Sequence, residues 1–154
     1  PDLTQCIAGT YAYNTFQFNV QSAISDVYIS PNFLVATEIG QTLTTTLYVV
    51  IYQGCQGTSV TLNGISFSSF APVSASANVY GTYTSQNPGE YLTLSFPVTV
   101  TLNGDEYTPS GPAIQFTANV QGTLSYTDES GSYTYPVSFN VEYCSQRAQE
   151  LGIC

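Results

Sequence analysis

Apolar and aromatic residues alternate with Thr, Ser, Asn and Gln along most of the chain, the period-two pattern of strands with one buried face. The clearest run is Tyr91 to Leu102, where Leu92, Leu94, Phe96, Val98, Val100 and Leu102 share one face and Thr93, Ser95, Thr99 and Thr101 the other. Ala113 to Tyr126 repeats the pattern with Ile114, Phe116, Ala118, Val120 and Leu124, and Ser132 to Tyr143 with Tyr133, Tyr135, Val137, Phe139 and Val141. Thr42 to Tyr52 aligns Leu43, Leu47, Val49 and Ile51. Turn chemistry falls between the runs, at Asn87-Pro88-Gly89, Asn103-Gly104 and Asp128-Glu129-Ser130-Gly131. Asn63-Gly64 predicts a type I′ hairpin pairing Leu62 with Ile65 and Val60 with Phe67. Pro97 and Pro136 sit inside alternating runs, which places them at an edge or a bulge. Ser145 to Leu151 is the one segment that reads as helix. The whole predicts an all-β, antiparallel β-sandwich, jelly-roll or Ig-like, of about 8–10 strands with a short C-terminal helix.

An internal echo predicts a duplication spanning 60–98 and 100–141. Val60-Thr61-Leu62-Asn63-Gly64, Ala77-Asn78-Val79-Tyr80-Gly81-Thr82, Gly89-Glu90-Tyr91 and Pro97-Val98 recur in order. Their counterparts are Val100-Thr101-Leu102-Asn103-Gly104, Ala118-Asn119-Val120-Gln121-Gly122-Thr123, Gly131-Ser132-Tyr133 and Pro136-Val137. Gly9-Thr10-Tyr11-Ala12-Tyr13 followed by Phe18-Asn19-Val20 similarly echoes Gly131 to Tyr135 followed by Phe139-Asn140-Val141. The first strand thus reads like the last strand of a repeat. The expected organisation is an N-terminal strand or tail over 1–20 and a sandwich over 21–154.

Composition narrows function. The 154 residues carry ten acidic side chains, Arg147 as the sole base, and no Lys, His, Trp or Met, for a formal charge of −9. Nucleic-acid and anionic-membrane surfaces need clustered bases, so neither is an expected partner. Without His or Lys, the common general base, the triads built on it and Schiff-base chemistry are missing, and no enzyme is expected. The length fits one domain burying roughly two thirds of its chain surface. No apolar run of about 18 residues provides a membrane span. Pro1-Asp2 opens without a basic or apolar leader, which reads as a processed chain. No N-x-S/T sequon occurs, leaving O-linked glycans on Ser and Thr as the open modification.

Cys6, Cys55, Cys144 and Cys154 have no C-x-x-C spacing, and disulfides are the expected state, pointing to an extracellular setting. Three pairings are compatible with the sequence; the expectation is Cys144 with Cys154 and Cys6 with Cys55, with Cys6 as an intermolecular link the alternative. Asp105-Glu106 and Asp128-Glu129 fall at turns and are expected to be solvated there. As calcium candidates they lack a D-x-D-x-D-G loop. The tyrosines offer apolar faces with polar edges, and Tyr133, Tyr135 and Tyr143 fall in register with core positions.

With its lysine-poor strands rich in Tyr, Thr, Ser and Val, its terminal cysteine and its isolated first strand, the chain resembles secreted filament subunits of thermophilic archaea, the thread and bundling-pilus proteins. It departs from them in its wealth of Asn and Gln. The resemblance implies β-rich domains polymerising head to tail by donor-strand complementation, with copies of the chain as partners and no cofactor. Thr4 to Val20 is the expected donor, with Ile7, Ala8, Tyr11, Tyr13, Phe16, Phe18 and Val20 at the polymer interface. The alternatives are a viral capsid jelly roll, which usually carries a basic arm absent here, and a secreted carbohydrate- or surface-binding module.

Overall fold

The alternating runs become strands in a computed structural model that describes residues 9–10, 17–18, 20–69, 72–103 and 113–154. In chain order these are β1 (Gly9–Thr10), β2 (Gln17–Phe18), β3 (Ala23–Ser30), β4 (Phe33–Ala36), β5 (Thr42–Tyr52) and β6 (Ser59–Ser68). They continue as β7 (Val73–Ser76), β8 (Tyr80–Thr84), β9 (Tyr91–Leu102), β10 (Gln115–Asp128), β11 (Gly131–Cys144) and a helix, α1 (Gln146–Glu150). Two sheets, ordered β4-β11-β10-β6-β8 and β3-β5-β9-β7, enclose one core, while β1 pairs with β2. The protein is therefore an all-β sandwich of two sheets with a short C-terminal helix. Its pairs are antiparallel except β11 with β4, which is parallel.

The core is the inner row of each long strand. Leu47, Val49 and Ile51 of β5, Val60 and Leu62 of β6, and Val98, Val100 and Leu102 of β9 are each at most 2% exposed. Ala118, Val120 and Leu124 of β10 and Phe139, Val141 and Tyr143 of β11, in the same sheet as β6 and facing β5 and β9, are buried to the same degree. Each such aliphatic or aromatic side chain contributes roughly 1.5–3 kcal/mol relative to exposure.

Two segments change sheet. β3 pairs with β5, passes the cis Ser30–Pro31 bond, and continues in the opposite sheet as β4 beside Asn140–Tyr143 of β11. β7 lies along Thr99–Leu102 of β9, then crosses through Ala77–Val79 to pair with β6 as β8. These crossings set where edges stay open. Pro97 lies beyond the reach of β7 and Pro136 beyond the reach of β4, so among the described residues each proline sits where its strand has a single neighbour. Both positions match the edge placement expected from sequence.

The Asn63-Gly64 hairpin expectation is corrected. β6 runs through both residues as one strand, and its register on β10 shifts between Leu124 and Tyr126, so this dipeptide forms a bulge. Gly64 has φ +107°, and a Cβ there would come within 2.9 Å of the Tyr80 hydroxyl. The left-handed preference of Asn-Gly is used inside a strand, where flanking strands β10 and β8 outcompete a local turn. The sequence echo also differs in placement. β6 and β8, which carry the first copy's opening blocks, pair with each other, whereas β9 and β10, which carry the second copy's, lie in opposite sheets.

Beyond β11, Ser145 caps α1 by accepting from the Ala148 N–H at 3.1 Å, and its Oγ also accepts from the Ile114 N–H at 2.9 Å. Cys144 and Cys154 are joined by a disulfide that closes this tail.

Candidate assembly site

The sandwich begins at a buried polar junction. The Val20 carbonyl accepts from the Cys55 N–H at 2.6 Å, and Ser22 Oγ accepts from the Gly54 N–H at 3.0 Å. Ser22 Oγ also lies 2.8 Å from Thr58 Oγ1, which in turn donates to the Cys55 carbonyl at 2.6 Å. Ser85 Oγ donates to the Gly54 carbonyl at 2.7 Å, and Gln53 Oε1 accepts from the Gln86 and Asn87 amides. Ser22, Gln53, Thr58 and Ser85 are all buried, and each has partners, as buried polar groups require. Gly54 is obligatory, because a Cβ would be driven into the backbone of Val20 and Gln21. Sequence reasoning missed this junction: isolated Ser, Thr and Gln at strand ends carry no pattern.

The same pole begins an open edge. β9 pairs with β5 from Tyr91 to Thr101, but with β7 only from Thr99 to Leu102. Among the described residues, Tyr91 to Val98 has no strand on its other side. The inner row records the difference: Val98, Val100 and Leu102 are closed off, while Leu92, Leu94 and Phe96 are only half-buried against the core. The stretch carries no charge, and Pro97 is its single edge-guarding residue. An uncharged edge with an apolar inner row can accept a further strand. β11 is also unpaired on one side over Gly131–Phe139, but there β3 packs against it and Tyr135 donates to Asp26 Oδ1 at 3.1 Å.

Of the residues expected at a polymer interface, Ile7, Ala8, Tyr11, Tyr13 and Phe16 lie outside the described residues, as do Cys6, Asp105 and Glu106. Phe18 lies in β2, opposite Gly9, and β1 and β2 join neither sheet of the sandwich. Val20 marks the junction above. Cys55 is buried and disulfide-bonded. Asp128 accepts from the Ser130 N–H at 2.8 Å and Glu129 from the Ser59 N–H at 3.2 Å, so both act as turn acceptors. No group of three or more potential metal ligands occurs among the described residues.

The tyrosines divide. Tyr143 is fully buried, and burial pushes its phenol above the ordinary range. Tyr133, expected in the core row, is 44% exposed because it lies near the hairpin end, past the last core layer, and packs on Tyr126. The Tyr126 phenol is raised first by burial, then by the nearby Asp128, Tyr133 and Tyr135.

No protein-family model and no curated protein sequence matches the chain. Among solved structures it is similar to the PapD-like domain 7 of human CEP192 at 14% identity and TM-score 0.46, over 89% of this chain and 96% of that one. It is also similar to the CooA pilin subunit of enterotoxigenic Escherichia coli at 12% identity and TM-score 0.41, covering 77% and 97% of the two chains. A third is AggA, the major subunit of aggregative adherence fimbriae type I from Escherichia coli, at 11% identity and TM-score 0.38, covering 81% and 95%.

Proposed function

We propose that the chain is a non-enzymatic subunit of an extracellular filament, assembling head to tail with copies of itself by donor-strand complementation. The open edge of β9 carries this reading: its unpaired backbone and half-buried Leu92, Leu94 and Phe96 ask for one more alternating strand. The N-terminal segment of a neighbouring copy is the proposed donor. It alternates, it belongs to neither sheet at β1 and β2, and it adjoins the hydrogen-bonded residues Val20 and Ser22 in sequence. Covering the three half-buried side chains contributes on the order of 3 kcal/mol from the acceptor side alone. A donor contact of this kind is heterologous and propagates without closing. The resemblance to archaeal filament subunits is one of composition and strand pattern.

Deleting residues 1–20, with Cys55 changed to serine, tests the reading. The truncated chain is expected to stay folded by circular dichroism, to form no fibres by negative-stain electron microscopy, and to bind a synthetic 1–20 peptide. Fibres from the truncated chain would refute donation by this segment. Loss of the fold would make the segment an ordinary core strand.

A further inference from the structure

The outer face of the β3-β5-β9-β7 sheet presents two tyrosine pairs in line. Tyr28 of β3 stacks on Tyr48 of β5, with ring centroids 5.1 Å apart and planes 20° off parallel. Tyr52 of β5 meets Tyr91 of β9 edge to face at 5.4 Å. Tyr28 and Tyr91 are 41% and 64% exposed. Tyr48 and Tyr52 lie four positions apart on one strand, so the pairs are separated by about 13 Å. Between them runs the cross-strand row Asp26, Val50 and Thr93, and Ser95 sits beside Tyr48. Asp26 Oδ1 is held by the Val27 N–H at 2.9 Å and the Tyr135 hydroxyl, which fixes the carboxylate at the sheet margin.

We infer that this face is a binding platform for a neutral oligosaccharide lying along β5. Flat rings suit the C–H faces of pyranose units, while Thr93, Ser95 and Asp26 supply hydrogen-bonding groups to sugar hydroxyls. The charge pattern selects the partner. No base lies on this face, the chain's single arginine is in α1, and the overall charge is −9, so acidic glycans and phosphate groups are repelled. A protein partner would need a broad apolar surface continuing past the tyrosines, but apart from Val50 and Pro97 their neighbours on the face are Thr and Ser, with Thr44, Thr46, Thr99 and Thr101 beyond. The platform is independent of strand donation.

The chain lacks tryptophan, so intrinsic fluorescence reports its tyrosines directly. Titrating the full-length protein with cellohexaose, mannohexaose and laminarihexaose should quench or shift that emission for at least one, and polygalacturonate should have no effect. Tyr28→Ala and Tyr48→Ala should each weaken the response roughly tenfold. Tyr80→Ala, on the opposite sheet and 65% exposed, should leave it unchanged and controls for general surface effects. Fibre formation by Tyr28→Ala should persist, separating this platform from the assembly edge. No response to any neutral probe, or a response that survives Tyr48→Ala, would overturn the inference.

Discussion

Ser22 Oγ and Thr58 Oγ1 lie 2.8 Å apart, both buried, and bind the start of the sandwich to the β5–β6 turn. Thr58→Val removes a donor to the Cys55 carbonyl and an acceptor for the Ser22 N–H while keeping the shape. The expected loss is about 1–3 kcal/mol by urea denaturation, with the midpoint lowered and the slope unchanged. A neutral result would show that water replaces the hydroxyl.

Much of the architecture was legible in the sequence because one-faced strands leave a period-two signature. β9 begins and ends at the residues its alternation marks, and Pro97 and Pro136 announce open edges. Less legible was anything decided by tertiary competition. Asn63-Gly64 has turn chemistry, yet flanking strands on both sides hold it in a bulge. The crossings at Ser30–Pro31 and Ala77–Val79 change sheets without changing the local pattern. The open β9 edge follows from where β7 departs, and alternation within β9 does not encode that.

Gly122 and Phe67 form a second dependence. A Cβ on Gly122 would approach the Phe67 ring to 2.7 Å and the Val137 side chain to 3.0 Å, in a strand interior where neither can withdraw freely. Gly122→Ala should cost about 1–3 kcal/mol through overpacking. Phe67→Leu should recover part of that loss in the double variant, giving a coupling energy of at least about 0.5 kcal/mol in a cycle of thermal or urea melts. Additive losses would mean the ring is not the obstacle.

The tail bridge between Cys144 and Cys154 closes a short loop around α1. Replacing both cysteines by serine is expected to cost roughly 2–3 kcal/mol in the chain-entropy view, seen as a lower Tm. The β-sheet signal should persist at room temperature, since the core lies in the long strands. Global unfolding at room temperature would show that the tail carries more of the fold than its contacts indicate.

Alkaline pH should lower the protein's stability. Tyr126 and Tyr143 have phenols raised above the ordinary 10.0, both through burial as the leading cause. A folded-state value above the unfolded one means that the unfolded chain releases its protons first. The stability from keeping these phenols neutral is thus complete below about pH 10 and is lost as pH climbs through the folded values. Urea melts at increasing pH should show stability falling above about pH 10. Phenylalanine at Tyr143 should flatten that fall; an unchanged slope would assign the effect to other tyrosines.

The β9 edge offers a test that leaves the N-terminal segment intact. Leu94 lies in the middle of the open stretch, half-buried and opposite Val49 of β5. Leu94→Lys places a charge where an added strand would have to cover it, whereas in the isolated subunit the long side chain can extend past the edge into water. The variant is expected to lose about 1–2 kcal/mol of stability, remain folded by circular dichroism, and run as a monomer at concentrations where the parent chain forms fibres. Thr93→Lys, with its side chain on the outer face, should assemble as the parent does. If Leu94→Lys still forms fibres, polymerisation does not use this edge, and the unpaired stretch of β11 between Gly131 and Phe139 becomes the site to block next.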